Sequence, residues 1–232
     1  MLNNLQRMDG DHHKQQRRLM MPAFHGQHMM KYHHAMIDQT QHMLDRWEVG
    51  REFDLLRAMQ QLTQNVMNKT LFGLDDDKKV AQLSDLIHKL TKVMMLGVRM
   101  PVDIPGFPYH QALRIAQKLD AEMRAIIEQK RARPEATDIL AALIQTHDGD
   151  GEKLSNDQLI GQIFAFYTTA YQTPANALTW TNFLLAQHPH ILADLLNELD
   201  EKLHGTPPTS EQLSQLPLLE CVVKESLRLF PP

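Results

Sequence analysis

The chain of 232 residues has one cysteine, Cys221, so it carries no disulfide framework and no multi-cysteine metal or iron–sulfur site. A reducing compartment suits such a chain. No run of about 18 apolar residues occurs, which excludes a membrane span read from sequence. Excess charge of either sign is small: 24 Lys and Arg stand against 28 Asp and Glu, a net −4. That balance argues against nucleic acid and anionic membranes as partners. Met1 to Gly10 is polar and lacks the apolar segment of a secretory signal, so a cytoplasmic location is expected. Strand-like alternation is scarce, and β-branched residues are few and scattered. No phosphate-cradling glycine loop and no nucleophile–base arrangement is visible, and nothing matches a flavin or nicotinamide site.

What remains is a helical pattern. With 43% hydrophobic and 22% charged residues the composition is that of a soluble globular protein, and one domain over 1–232 is expected. Apolar periodicity and Gly/Pro punctuation predict helices over 11–20, 29–47, 54–72, 78–98, 108–133, 136–146, 155–188, 190–204 and 217–229. Seven histidines cluster early: His12, His13, His25, His28, His33, His34 and His42. They form no HExxH pattern and have no cysteine partner. Asp148 to Gly151 resembles part of a calcium loop, but its glycine and closing glutamate are misplaced. No metal site is therefore expected from side chains.

The stretch from Ser155 to Pro189 is the most informative. Ser155 and Gln158 have capping-box spacing, which predicts a helix start. From Gln158 to Ala193 there is no Asp, Glu, Lys or Arg. An uncharged helix about 50 Å long, at ~1.5 Å per residue, is buried on most sides. Thr168, Thr169, Gln172, Thr173, Asn176, Thr179 and Asn182 interrupt it, so it does not belong in lipid. Pro174 sits in its middle. A proline inside a helix removes one hydrogen bond and clashes one turn back, at a cost of roughly 3 kcal/mol. Thr169 to Pro174 is thus expected to be a loosened, partly polar turn. Two explanations stay open at this point: a kink that fits a neighbouring helix, or a gap for a ligand or water.

Two more features anchor the ends. Pro217 suits the first turn of a helix, with an apolar stripe of Leu218, Leu219, Val222, Val223 and Leu227. On it Glu225 and Arg228 share a face, and the flanking Leu227, Leu229 and Phe230 predict that the pair is partly buried. Cys221 on this helix is expected to be a structural, inert thiol. Near the other end His13 and Arg17 are four apart, with Arg18 beside them. Such donors can hold a pair of carboxylates, though a solvated basic helix end is the plainer alternative.

In this order and at this spacing, the three anchors resemble the cytochrome P-450 family of haem-thiolate monooxygenases. Asp9 to Arg18, followed by Met21 to Phe24, resembles that family's C-helix. Ala175 to Pro189 resembles the end of its I-helix and the step into the J-helix. Glu225 to Pro232 resembles its ExxR helix. The resemblance implies a mainly α, multi-helix cytochrome P-450-like core, truncated, with the small β-sheet largely missing. It implies haem as cofactor, with His13 and Arg17 contacting the propionates and Ala170 where the I-helix opens beside the oxygen site. Thr173 falls on the threonine that steadies bound dioxygen and helps its protonation. Glu225 and Arg228 fall on a structural pair.

The departures are specific. The family usually places an acidic residue before the threonine; here it is Gln172, which forms hydrogen bonds but does not ionise. Proton delivery is then expected to rest on Thr173 and ordered water, with Gln172 beside them. The family's axial cysteine lies well after the ExxR helix, beyond Pro232, and Cys221 does not substitute for it. The sequence therefore reads as a fragment of a haem-dependent monooxygenase. It would act on an apolar small molecule, using dioxygen and electrons from a ferredoxin- or flavodoxin-type partner, and would be inactive by itself. The alternative is a catalytically silent helical remnant or binding module.

Overall fold

The computed structural model describes residues 4–24, 27–73, 77–97, 101–133, 135–147, 151 and 153–232. Asp148 to Asp150 and His25 lie outside the described residues. The helices are α1 (Gly10–Met20), α2 (Gln27–Leu44), α3 (Leu55–Phe72), α4 (Asp77–Gly97), α5 (Pro108–Arg131), α6 (Ile139–Gln145), α7 (Asn156–Ala170), α8 (Gln172–Gln187), α9 (Pro189–Leu203), α10 (Ser210–Leu213) and α11 (Pro217–Leu229). Short 3-10 turns cover Leu5–Arg7 and Met21–Phe24. No strand occurs among the described residues, and the lone β-bridge joins His147 to Lys153. No described helix is long and apolar enough to cross a membrane.

The chain folds as two compact units. Met1–Met29 with Met67–Thr169 makes the first, and Met30–Val66 with Ala170–Pro232 makes the second. In the first, α4 and α5 lie against each other through apolar residues at helical spacing. Leu83, Ile87 and Leu90 of α4 are buried, as are Leu119, Met123, Ile126 and Ile127 of α5. Burying each such side chain is worth about 2 kcal/mol. Ile139 to Leu143 of α6 are all buried, as an apolar helix without a polar face must be. Asp138 caps α6 by accepting from the Ala141 amide at 3.0 Å, and it is ion-paired with Lys130.

The same carboxylate fixes the end of α3. Gly73 has φ +53, and a Cβ there would sit 2.8 Å from Asp138 Oδ2. Only glycine meets both conditions without strain.

In the second unit α8, α9 and α11 pack together. The first turn of α11 begins with Pro217, as predicted, but it is not self-capped. The amides of Leu218 and Leu219 donate to the two carboxylate oxygens of Glu198 on α9, at 2.9 and 3.1 Å. A carboxylate at a helix N-terminus satisfies orphan donors and opposes the helix dipole. At the other end of α11, Phe230 stacks on Trp180 of α8 with ring centroids 4.2 Å apart.

Candidate functional site

The predicted 155–188 helix begins with the expected box: Ser155 N donates to Gln158 Oε1 (2.8 Å), and Gln158 N donates to Ser155 Oγ (3.2 Å). It then divides at Tyr171 into α7 and α8. The break changes the meaning of Pro174. Tyr171 is the N-cap of α8, so Pro174 stands third in the new helix, where an amide has no intrahelical acceptor in any case. The proline's cost within a continuous helix is thereby avoided. Because Pro174 has no N–H, it offers nothing to the carbonyl of Ala170, the last residue of α7.

The polar residues along α7 and α8 now separate into two sets. In the first unit, Gln162 is 1% exposed and accepts from the Leu5 amide at 3.0 Å. Tyr167, fully buried, donates its hydroxyl to Ser84 at 2.6 Å. Thr168 and Thr169 bond back to carbonyls within their own helix. In the second unit, Thr179 bonds back to Ala175 O at 2.7 Å and Asn182 to Leu178 O at 2.8 Å. In the first turn and a half of α8, Thr173 and Asn176 have no hydrogen-bond partner among the described residues, as is also true of Thr181 and Gln187 further along; Thr173 is exposed and Asn176 half-buried. They are three apart in α8 and share a face. Gln172 donates from Nε2 to the Tyr171 hydroxyl at 3.2 Å, which leaves its amide oxygen as an acceptor.

A hydroxyl of another helix reaches this turn. Thr63 of α3 places its hydroxyl 2.8 Å from Tyr171 O. Around it, Met59 and Leu62 of α3 pack on Ala175, which is fully buried. Sequence reasoning found Gln172 and Thr173 but missed Thr63 and did not separate Asn176 from its polar neighbours.

In the first unit, α1 buries Gln16, Leu19 and Met20 and sets His13 and Arg17 one turn apart at the rim of that face. His13 is half-buried and Arg17 exposed. Lys14 is paired with Asp11 at 3.0 Å. His13 and Arg17 have no partner among the described residues. The two are therefore adjacent, uncommitted donors suited to carboxylates. In the second unit, His33 donates to Pro208 O at 2.8 Å and His34 to Met30 O at 2.7 Å. No group of three metal-ligating side chains occurs among the described residues.

The Glu225–Arg228 pair forms as expected, with two hydrogen bonds of 2.7 and 2.6 Å. Its burial does not: the Arg228 side chain is 67% exposed and Glu225 55%. The buried side of α11 runs through Ser226 and the half-buried Leu218, Leu219 and Val222, and the pair lies off it. Leu227 and Leu229 are exposed as well, so they draw nothing inward. The bonds from Arg228 hold the Glu225 carboxyl below the usual carboxylate range and raise the guanidinium in turn. Cys221, expected to be an inert core thiol, is also exposed, because it lies on the outer face of α11.

A family model described as Cytochrome P450 matches residues 3–232. The chain is 32% identical to cyclooctat-9-en-7-ol 5-monooxygenase of Streptomyces melanosporofaciens, over 99% of this chain and 52% of that protein. It is 29% identical to pentalenene oxygenase of Streptomyces avermitilis, over 95% of this chain and 50% of that protein. The chain thus spans about half the length of the curated relatives it matches. Among solved structures, retinoic acid-bound cyanobacterial CYP120A1 superposes with a TM-score of 0.84 at 25% identity, covering all of this chain and 53% of that one. The haem domain of cytochrome P450DA shares the fold, with a TM-score of 0.83 at 20% identity, covering 97% of this chain and 52% of its own. With a mainly helical fold, no strand among the described residues, and a family model running through both units, the chain belongs to the cytochrome P450 family.

Proposed function

We propose that the protein to which these residues belong is a haem-dependent monooxygenase that inserts one atom of dioxygen into an apolar small molecule. The observation that carries this reading is the Cytochrome P450 match from residue 3 to residue 232. The substrate class takes support from the relatives, two of which are named for an alkenol and an alkene, cyclooctat-9-en-7-ol and pentalenene. Electrons come from a separate ferredoxin- or flavodoxin-type protein.

The donor chemistry of the chain suits haem. His13 and Arg17, uncommitted and one turn apart on α1, offer hydrogen-bond donors to the two propionates. Thr173 offers a hydroxyl that bonds to nothing else among the described residues. Haem, when bound, supplies the iron at which dioxygen is reduced. The chain's own part is to hold the cofactor's carboxylates and to deliver protons. Thr173 Oγ1 both accepts and donates, so it passes a proton from ordered water without ionising. Gln172 cannot take part by ionisation. With Nε2 bound to the Tyr171 hydroxyl, it acts as a hydrogen-bonding neighbour that orients water through its amide oxygen. Ala170, the last residue of α7, presents only a methyl group at the break.

Haem titration followed by absorbance tests the reading. Arg17→Ala and His13→Ala are each expected to weaken haem binding about tenfold, the loss of one charge-assisted hydrogen bond. Equal affinity in both variants and the wild type overturns their assignment.

A further inference from the structure

We propose that Thr63 of α3 is the positioning residue for Thr173: its hydroxyl clasps the carbonyl of Tyr171 and so fixes the first turn of α8. The proposal rests on the reading of Thr173 given above and adds a residue that the ExxR, I-helix and C-helix resemblances do not include.

Three observations carry it. The first is competition for one proton. The Thr63 hydroxyl lies 2.8 Å from Tyr171 O, 2.9 Å from Met59 O and 3.2 Å from Gln60 O. A helical threonine ordinarily donates to the carbonyl four residues back, here Met59. This one has an equally short acceptor 108 residues away in sequence, on another helix. A hydroxyl has a single proton, so Tyr171 O competes with Met59 O for it at equal reach.

The second is the state of the helix start. Tyr171 is the N-cap of α8 and makes no side-chain cap hydrogen bond. Its carbonyl accepts the Ala175 amide at 3.3 Å, a long bond for the opening turn of a helix. The Thr63 hydroxyl lies closer to that oxygen than the Ala175 amide does. The bond leaves the first-turn amides as they were; what it holds is the carbonyl on which the opening turn of α8 is hung.

The third is burial. Thr63 and Tyr171 are each 8% exposed, and Ala175 is fully buried against Met59 and Leu62. With water largely excluded, the Tyr171 carbonyl depends on protein donors, and their removal is felt in full. The bond pins the backbone two residues before Thr173. It therefore sets the rotation of the turn and the direction in which the free hydroxyl of Thr173 points. Thr63 touches no reacting atom; it acts through the backbone.

The test compares wild type, Thr63→Val and Thr63→Ser in the full polypeptide carrying these residues. Valine keeps the shape and loses the donor, while serine keeps the donor and loses a methyl group. Hydrogen–deuterium exchange is read over Gln172 to Asn176, together with peroxide released per dioxygen consumed. Thr63→Val is expected to speed exchange at the Ala175 amide about tenfold and to raise the peroxide fraction, with Thr63→Ser close to wild type in both. Exchange in Thr63→Val equal to wild type, or Thr63→Ser as fast as Thr63→Val, overturns the proposal. Absorbance at the haem band is recorded for all three. Its absence in the wild type overturns the haem reading itself, and the exchange comparison still decides whether Thr63 is a clasp.

Discussion

Thr173 differs from the other threonines nearest the break in having nothing to bond among the described residues. Thr168, Thr169 and Thr179 spend their protons on carbonyls of their own helices. Thr173 is exposed at the start of α8, where the backbone break keeps it clear of such a carbonyl. This is the basis for expecting that Thr173→Ala, in the haem-loaded protein, diverts dioxygen to peroxide roughly tenfold more often, and that Thr173→Ser restores coupling. Unchanged coupling in the alanine variant would remove the residue from its role. Glu225 is a residue-scale case of another kind. Its carboxyl is held below the ordinary range first by the Arg228 hydrogen bonds, so the pair is complete above the ordinary carboxylate range and is lost as pH falls through the lowered value. Carbon-13 titration of Glu225 should give a midpoint below that of a free glutamate and return to normal in Arg228→Ala. A midpoint indifferent to Arg228 contradicts the assignment. The exposure of the pair makes this a local effect, screened by salt, and not a main support of the fold.

At the scale of elements, what could be read from sequence was what adjacent residues decide. The Ser155–Gln158 box, Pro217 at the head of α11 and the stop at Phe230 are all local, and each stands where the spacing placed it. The break near Pro174 was legible because a proline and a run of hydroxyl residues conflict with a continuous helix. α10 was not, since Ser210–Leu213 is a single turn, too short for any periodicity. Nor were the cap that Glu198 supplies to α11 and the clasp from Thr63 on α8, because both partners lie on other helices. An apolar pattern tells which face is buried; it does not name what covers that face. The burial expected for Glu225–Arg228 failed for this reason, as did the core placement expected for Cys221. The end of α3 gives a direct test at this scale. Gly73→Ala forces a left-handed backbone on alanine and drives its methyl group into Asp138 Oδ2. A loss of about 2–3 kcal/mol in unfolding free energy is expected from chemical denaturation. A change within about 0.5 kcal/mol contradicts the account of that junction.

At the scale of the molecule, one family model runs through both compact units, while the functional groups fall into two local sets. α1 presents His13 and Arg17, and the opening of α8 presents Thr173 with Gln172 and Asn176 beside it. Under the proposed function the first set would hold the cofactor's carboxylates and the second would serve proton delivery. The only cysteine of the sequence, Cys221, is exposed on α11 and belongs to neither. The absorption spectrum of the reduced protein under carbon monoxide tests the central claim most directly. The account predicts a haem-thiolate Soret band from the full polypeptide carrying these residues, and none from residues 1–232 alone. A full polypeptide without a haem band, or a thiolate-type band from residues 1–232 that disappears in Cys221→Ser, would contradict it.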